Sequence, residues 1–119
     1  METQTGESLT LRGPLEGEAP GLAGVVGRMR LLVGDQPVGV LDVSNGWAKL
    51  LPDGGQVDVT GICASAEVLM RLLQGRINPV VMALLAEGRL QGDRERGTKI
   101  IYGLRAGSPF NKTTLQGKD

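Results

Sequence analysis

Apolar residues in the first half of the chain come in short runs separated by turn residues. Runs rich in valine and leucine begin at Arg28 and are interrupted at Gly34-Asp35 and at Asn45-Gly46. Such runs are typical of strands, and Asn-Gly accepts the positive φ of a tight hairpin turn. The pattern predicts three strands joined by hairpins, over residues 28–33, 37–43 and 47–51, followed by a fourth strand over 57–62.

After this fourth run, the apolar period changes to that of a helix. Ser65 is a typical N-cap, Glu67 lies in the first turn, where a carboxylate suits the helix dipole, and Gly75 supplies a stop. The spacing i, i+1, i+4, i+5 describes one helix face. The pattern predicts a helix over residues 65–74, with a face made by Val68, Leu69, Leu72 and Leu73.

A second helix is predicted over residues 78–87, and it has an unusual composition. Asn78-Pro79 is a typical start, with Asn as cap and Pro at the first helical position, and Gly88 ends the segment. Residues 80–86 contain no polar side chain. A helix that is apolar all round is normally buried on every side. This chain is small, so we expect a lipid-like ligand or a second subunit to cover part of the helix.

The remaining segments give weaker signals. Residues 89–91 are predicted to form a fifth strand, and Asp93 is predicted to cap a helix that ends near Leu104. Gly97 and Gly103 leave a strand as the alternative for this last segment. Residues 1–24 are predicted to be a flexible or extended segment, 25–106 the domain, and 107–119 a polar tail with Phe110 as its only apolar anchor.

The stretch from Val57 to Leu104 resembles the sterol carrier protein family, second type. The resemblance extends over residues 28–104 and implies an α+β fold: an antiparallel sheet of about five strands with helices packed on one face. The long amphipathic helix with which family members usually begin is not found, so we expect Leu9–Gly24 to cover the cavity mouth or a partner subunit. The matching residues are Asp58-Val59-Thr60, Ser65-Ala66-Glu67, Leu72-Leu73-Gln74-Gly75-Arg76, Asn78-Pro79 and Glu87-Gly88-Arg89-Leu90-Gln91-Gly92-Asp93.

The resemblance also implies an apolar tunnel for sterols, fatty acids, acyl-CoAs or other lipids. Aliphatic side chains dominate the chain, and they suit a flexible alkyl or isoprenoid ligand better than a polar one. The ligand is expected to lie between the sheet and the helices. The predicted cavity residues are Val59, Leu69, Leu72, Leu73, Val81, Leu84, Leu85 and Ile101.

Composition argues against several other classes of protein. Acidic and basic residues number 13 each, so the positive charge expected of a nucleic-acid-binding protein is missing. The sequence has no His and a single Cys63 inside an apolar run, which disfavours nucleophilic catalysis and metal binding. Its 19 glycines form no phosphate-binding motif. No apolar run reaches the ~18 residues of a membrane span, and no signal peptide precedes the domain.

These observations predict a cytoplasmic, non-enzymatic protein, without cofactor or metal, that binds or transfers a hydrophobic ligand. The alternative is a ligand-free module that uses the apolar helix face for a homodimer or for docking on an enzyme. Mass spectrometry of an organic extract, compared with the native mass, separates the two hypotheses.

Overall fold

The computed structural model describes residues 9–117. Six strands of this range precede the first α-helix, which is the segregated order of an α+β fold, and a short 3-10 turn at Pro20–Leu22 separates the second strand from the third. In chain order the elements are β1 (Leu9–Arg12), β2 (Glu16–Glu18), β3 (Val26–Val33), β4 (Gln36–Ser44), β5 (Trp47–Leu51), β6 (Val59–Cys63), α1 (Ala66–Leu73), α2 (Pro79–Leu84), β7 (Gly88–Gly92), α3 (Arg94–Arg105) and β8 (Thr114–Gly117).

The predicted starts of the helices are confirmed, together with their caps. Ser65 accepts a hydrogen bond from the Val68 amide at 3.2 Å, and Asp93 accepts one from the Arg96 amide at 3.1 Å. Asn78 Oδ1 accepts from the Val80 amide at 2.9 Å. Each cap satisfies amides that the first helical turn leaves without an intrahelical partner. The segment after Asp93 is a helix and not the alternative strand.

Helix α2 is shorter than predicted, since it ends at Leu84 and not at residue 87. Ala86 adopts a positive φ of 56°, and the Glu87 amide donates to the Met82 carbonyl at 2.9 Å. This is the hydrogen-bond pattern of a Schellman motif, with an alanine at the left-handed position where glycine is usual. A rule that looks for glycine therefore places the end of the helix too late.

The main sheet has six strands, in the order β2-β5-β4-β3-β6-β7, where about five were predicted. The prediction of an antiparallel sheet was wrong at one place: β3 and β6 are parallel, with Met29 opposite Val59. The other neighbours in this order are antiparallel. The sheet is therefore mixed, and the α+β class is confirmed.

The parallel pair exists because the connection from β5 to β6, residues 52–58, crosses the sheet instead of making a hairpin. Two residues of β3 hold it, one through its side chain and one through its backbone. Arg30 forms an ion pair with Asp53 at 2.9 Å, and the Arg28 carbonyl accepts from the Asp58 amide at 2.9 Å. Arg28 and Arg30 alternate along β3 with the buried Met29, so they point to the face opposite the core. A turn signal such as Pro52–Gly55 is local and does not report which strand follows as neighbour.

Helices α1 and α3 pack against the other face of the sheet and complete the core. Two glycines of α3 allow this close packing. A Cβ on Gly97 would lie 3.0 Å from side-chain atoms of both Leu90 and Val59, and one on Gly103 would lie 2.2 Å from Leu22. The glycines that weakened the helix prediction are therefore the positions where the helix touches its neighbours.

Both ends of the described chain pack on the same core. Leu22, from the segment expected to cover a partner or the cavity mouth, is fully buried in the chain's own interior. Phe110, from the segment expected to be a polar tail, is also fully buried. Strand β1 pairs with β8, where Leu11 lies opposite Leu115. Residues 9–24 and 107–117 therefore contribute to the same core, and β2 within the first of these segments is a strand of the main sheet.

Candidate functional site

An open groove of about 660 Å³ lies between α2, β7 and the first turns of α3. Its volume falls within the ~300–1,000 Å³ usual for small-molecule sites. The lining is mostly aliphatic, with a charged side. The lining residues are Pro79, Val80, Met82, Ala83 and Leu84 from α2, Arg89 and Leu90 from β7, and Arg94, Glu95 and Thr98 from α3.

Helix α2 forms the apolar wall of the groove, and only one side of this helix is buried. Met82 and Pro79 point into the protein and are buried. Val80 is 56% exposed and Leu84 78% exposed. Met82 attaches this six-residue helix to the buried core, while residues 9–117 leave the side with Val80 and Leu84 largely exposed. The result is an aliphatic surface that faces the groove and the solvent.

Charged side chains from β7 and α3 form the opposite wall. Arg89 and Arg94 line the groove together with one carboxylate, Glu95. The Thr98 hydroxyl also lines it, but donates to the Arg94 carbonyl at 2.9 Å. The ion pairs among residues 9–117 use other arginines, so the guanidinium groups of Arg89 and Arg94 give this wall a net positive charge.

The N-terminus of α3 is held rigidly beside this wall. The pKa of Asp93 lies below its ordinary value, first because the Arg96 amide donates to it and then because the Arg96 guanidinium does. The two side chains form an ion pair at 3.0 Å, and Arg96 also donates to the Val26 carbonyl. These contacts tie α3 to β3 and fix the orientation of the turn that carries Arg94.

The structure does not bring the eight predicted cavity residues together. Leu84 lines the groove. Val81 and Leu85 are 45% and 63% exposed on and just after α2. The other five have no exposed surface and belong to the packed core; they are Val59, Leu69, Leu72, Leu73 and Ile101. Whether any of the eight contacts a ligand stays a prediction.

The polar wall was missed by the sequence reasoning, although the pattern contains a signal for it. Arg94, Thr98 and Ile101 are spaced i, i+4, i+7, which places them on one face of α3. Ile101 was predicted as a cavity residue because it is apolar. Thr98 and Arg94 lie on the same helix face, nearer the N-terminus of α3, and line the groove. Leu90, between Arg89 and Gln91, points to the core side by strand alternation.

Few groups of this protein are suited to covalent or metal chemistry. Cys63 is fully buried, and burial raises the pKa of its thiol to about 12, which keeps it protonated and unreactive. Within residues 9–117, no group of three acidic, cysteine or histidine side chains is placed to hold a metal ion. None of the helices described here is long and apolar enough to cross a bilayer.

Structural comparison finds similar folds at low sequence identity. No protein-family model matches the sequence, and no curated protein matches it either. A solved structure described as a UbiJ-SCP2 ubiquinone synthesis protein is 23% identical to this chain, with a TM-score of 0.56. The match covers 72% of this chain and 73% of that one.

Two further structures are more distant. The sterol carrier protein domain 2 of Helicoverpa armigera is 21% identical, covering 69% of this chain and 68% of that one, with a TM-score of 0.49. A conserved hypothetical protein of Thermus thermophilus, described as possibly a sterol carrier protein, is 14% identical, covering 78% and 79%, with a TM-score of 0.42. The similarity to the UbiJ-SCP2 structure shows that this chain has the α+β fold of the sterol carrier protein 2 domain.

Proposed function

We propose that this domain binds the hydrocarbon chain of a lipid in the groove between α2, β7 and α3, and carries it without chemical change. The observation that supports this most directly is the aliphatic wall of α2, which the chain leaves uncovered beside a groove of ligand size. The fold supports the proposal in a general way, because sterol carrier domains are its structural neighbours. A cytoplasmic location is part of the same proposal.

The affinity expected from such a groove is moderate. Each buried methylene contributes ~0.8 kcal/mol, so about ten buried carbons give a gross gain near that of micromolar binding. Ordering of the flexible chain reduces this gain. The lining holds no aromatic side chain, and its polar residues are confined to the wall formed by β7 and α3. We therefore expect broad specificity for alkyl and isoprenoid chains.

The ligand classes in the proposal are fatty acids, acyl-CoAs, sterols and isoprenoid lipids. The name of the UbiJ-SCP2 neighbour connects that protein with ubiquinone synthesis. Ubiquinone carries an isoprenoid tail, so a prenyl chain is included among the ligands to test. An aliphatic groove distinguishes these tails by length and width, and not by hydrogen bonding.

The eight cavity residues predicted from sequence fall into two groups, three exposed and five buried. Leu84 offers exposed aliphatic surface inside the groove, and Val81 and Leu85 are exposed beside it, outside the groove lining. The five buried residues form the core behind the groove. In this core, Val59 lies next to Leu90 of the groove wall, since both would meet a Cβ on Gly97. A ligand reaches this layer only by displacing core side chains.

The first experiment is mass spectrometry of an organic extract of the purified protein, beside its native mass. We expect a monomer that carries lipid. The second is titration with a fluorescent fatty acid, using Ala83→Trp to fill the groove. Ala83 is exposed and lines the groove, so the indole ring should occupy the ligand space without disturbing the core.

The matched control is Ala23→Trp, which adds the same ring at an exposed position outside the groove lining. Ala83→Trp should weaken fatty-acid binding by about tenfold or more, as expected when a few methylene contacts are lost, and Ala23→Trp should leave it unchanged. If the wild-type protein binds no lipid and forms a dimer, this proposal is wrong. The alternative, a ligand-free module that associates through the apolar helix face, then replaces it.

A further inference from the structure

We propose that the outer face of α2, together with Arg89 and Arg94, is a docking surface for an anionic lipid bilayer. This goes beyond ligand binding in the groove, because docking needs no ligand to be present. The surface has four exposed apolar residues at the spacing i, i+1, i+4, i+5, which is one helix face. They are Val80 at 56%, Val81 at 45%, Leu84 at 78% and Leu85 at 63% exposure.

Residues 9–117 leave this face uncovered. Helix α2 already uses its other side, with Met82 and Pro79, to pack on the protein. Its position is fixed by the Asn78 cap, by the Schellman ending at Ala86 and by contacts with β7 and α3. Four aliphatic side chains held outward on a firmly placed helix are the kind of exposed apolar patch that marks an interaction site.

Positive charge lies beside this apolar face. The groove lined by Val80 and Leu84 is also lined by Arg89 and Arg94, against a single carboxylate, Glu95. Aliphatic residues flanked by arginine are typical of helices that lie in the interface of an anionic membrane. There the apolar side enters the acyl boundary by ~5–10 Å, and each arginine near the surface adds ~1 kcal/mol of attraction to acidic headgroups.

A bilayer fits this surface better than a second copy of the chain does. Six residues of helix extend only ~9 Å, whereas a stable protein interface takes about 800 Å² from each partner. A two-fold contact centred on α2 would also bring Arg89 and Arg94 of both copies close together, and like charges oppose association. A bilayer offers a hydrocarbon interior to the apolar face of α2 and anionic headgroups to Arg89 and Arg94.

Docking by α2 would place the groove directly at the membrane. Leu84 belongs both to the exposed helix face and to the groove lining. A lipid tail could then pass between bilayer and groove without crossing water. The proposal thus gives the exposed face a role in loading and release.

Vesicle co-sedimentation of the full chain tests this surface. Vesicles of phosphatidylcholine alone are compared with vesicles of equal parts phosphatidylcholine and phosphatidylglycerol, at low and high salt. We expect binding to the anionic vesicles that weakens with salt. Arg89→Gln and Arg94→Gln should each weaken it by about fivefold, and Leu84→Gln by about tenfold or more.

The matched controls are Arg105→Gln and Leu15→Gln. Arg105 lies at the far end of α3 from Arg94, ~16 Å along the helix, and Leu15 is 42% exposed outside the groove lining. Both controls should bind anionic vesicles as the wild type does. Equal binding to the two kinds of vesicle, or equal losses from the controls, overturns the proposal.

A dimer that buries α2, seen by sedimentation velocity without vesicles, overturns it as well. The ligand proposal has a separate readout, since fatty-acid titration is performed without vesicles. Vesicle binding with no fatty-acid binding would remove only the groove assignment. Fatty-acid binding with no vesicle binding would remove only the docking surface.

Discussion

Two neighbouring segments of this protein have nearly the same sequence and opposite environments. Residues 68–73 read Val-Leu-Met-Arg-Leu-Leu, and residues 80–85 read Val-Val-Met-Ala-Leu-Leu. In α1 the face of positions 68, 69, 72 and 73 is buried. In and just after α2 the equivalent face, twelve positions later along the chain, is exposed. The methionines show the reverse, since Met82 is buried and Met70 only partly so.

The difference comes from what each helix packs on. Helix α1 lies on β3 and β6 and against α3, so its Val/Leu face finds the centre of the core. Helix α2 follows a short turn and lies at the β7 side of the sheet, where Met82 and Pro79 are enough to attach it. A short apolar motif therefore defines a possible contact face, but its neighbours decide whether the face is used inside or outside the protein.

Among variants that fold, the largest effect on the free energy of unfolding is expected from Leu72→Ala, which is paired with Leu84→Ala. Leu72 has no exposed surface and Leu84 is 78% exposed. Leu72→Ala should lower the free energy of unfolding by ~2–5 kcal/mol through a core cavity. Leu84→Ala, its equivalent in α2, should change it by less than ~0.5 kcal/mol. Urea unfolding of both variants measures the difference; equal losses would mean that α2 is packed as tightly as α1.

The caps give an intermediate effect that compares the two helices directly. Ser65→Ala and Asn78→Ala each remove the side-chain acceptor of the first turn, at a cost of ~1 kcal/mol. For α1 this loss should appear in global unfolding, because the helix belongs to the core. For α2 it should appear mainly as faster amide exchange of residues 80–86, since local opening leaves the core intact.

Urea unfolding and native-state hydrogen exchange on both cap variants separate these outcomes. A loss of global stability from Asn78→Ala as large as that from Ser65→Ala would contradict the comparison. It would show that α2 folds and unfolds with the core.

The smallest effect is expected from Leu84→Glu. A carboxylate at this exposed position remains hydrated, so the melting temperature should stay close to that of the wild type. The equivalent change Leu72→Glu places an unpaired carboxylate in the core and should prevent folding. Thermal melts followed by circular dichroism compare the two. A Leu84→Glu protein that does not fold would mean that α2 is covered, for example by a second subunit.

Much of the local structure could be predicted from sequence, because it depends on residues close together in the chain. The Asn45-Gly46 turn has the positive φ values that the dipeptide suggested. The starts of the three described helices follow from Ser65, Asn78 and Asp93, whose side chains bond amides two or three residues later. The resemblance to sterol carrier proteins is confirmed at the level of the fold.

The predicted site was less accurate because it joined residues by hydrophobicity alone. Leu69 and Leu84 are equally apolar in the sequence, yet one is in the core and the other on the surface. Arg89 and Arg94 were not among the predicted cavity residues, although both line the groove. The position of a residue in a groove depends on which elements meet there, and this is a non-local property.

The sequence by itself determined the helix caps, the turns, the α+β class and the presence of more apolar helix than a small domain can cover. These features depend on interactions within a few residues. Only the tertiary structure decided the parallel pairing of β3 with β6, the burial of Leu22 and Phe110, and the outward face of α2. Each of these depends on the arrangement of segments distant in the chain, where packing and backbone pairing compete and local patterns give no preference.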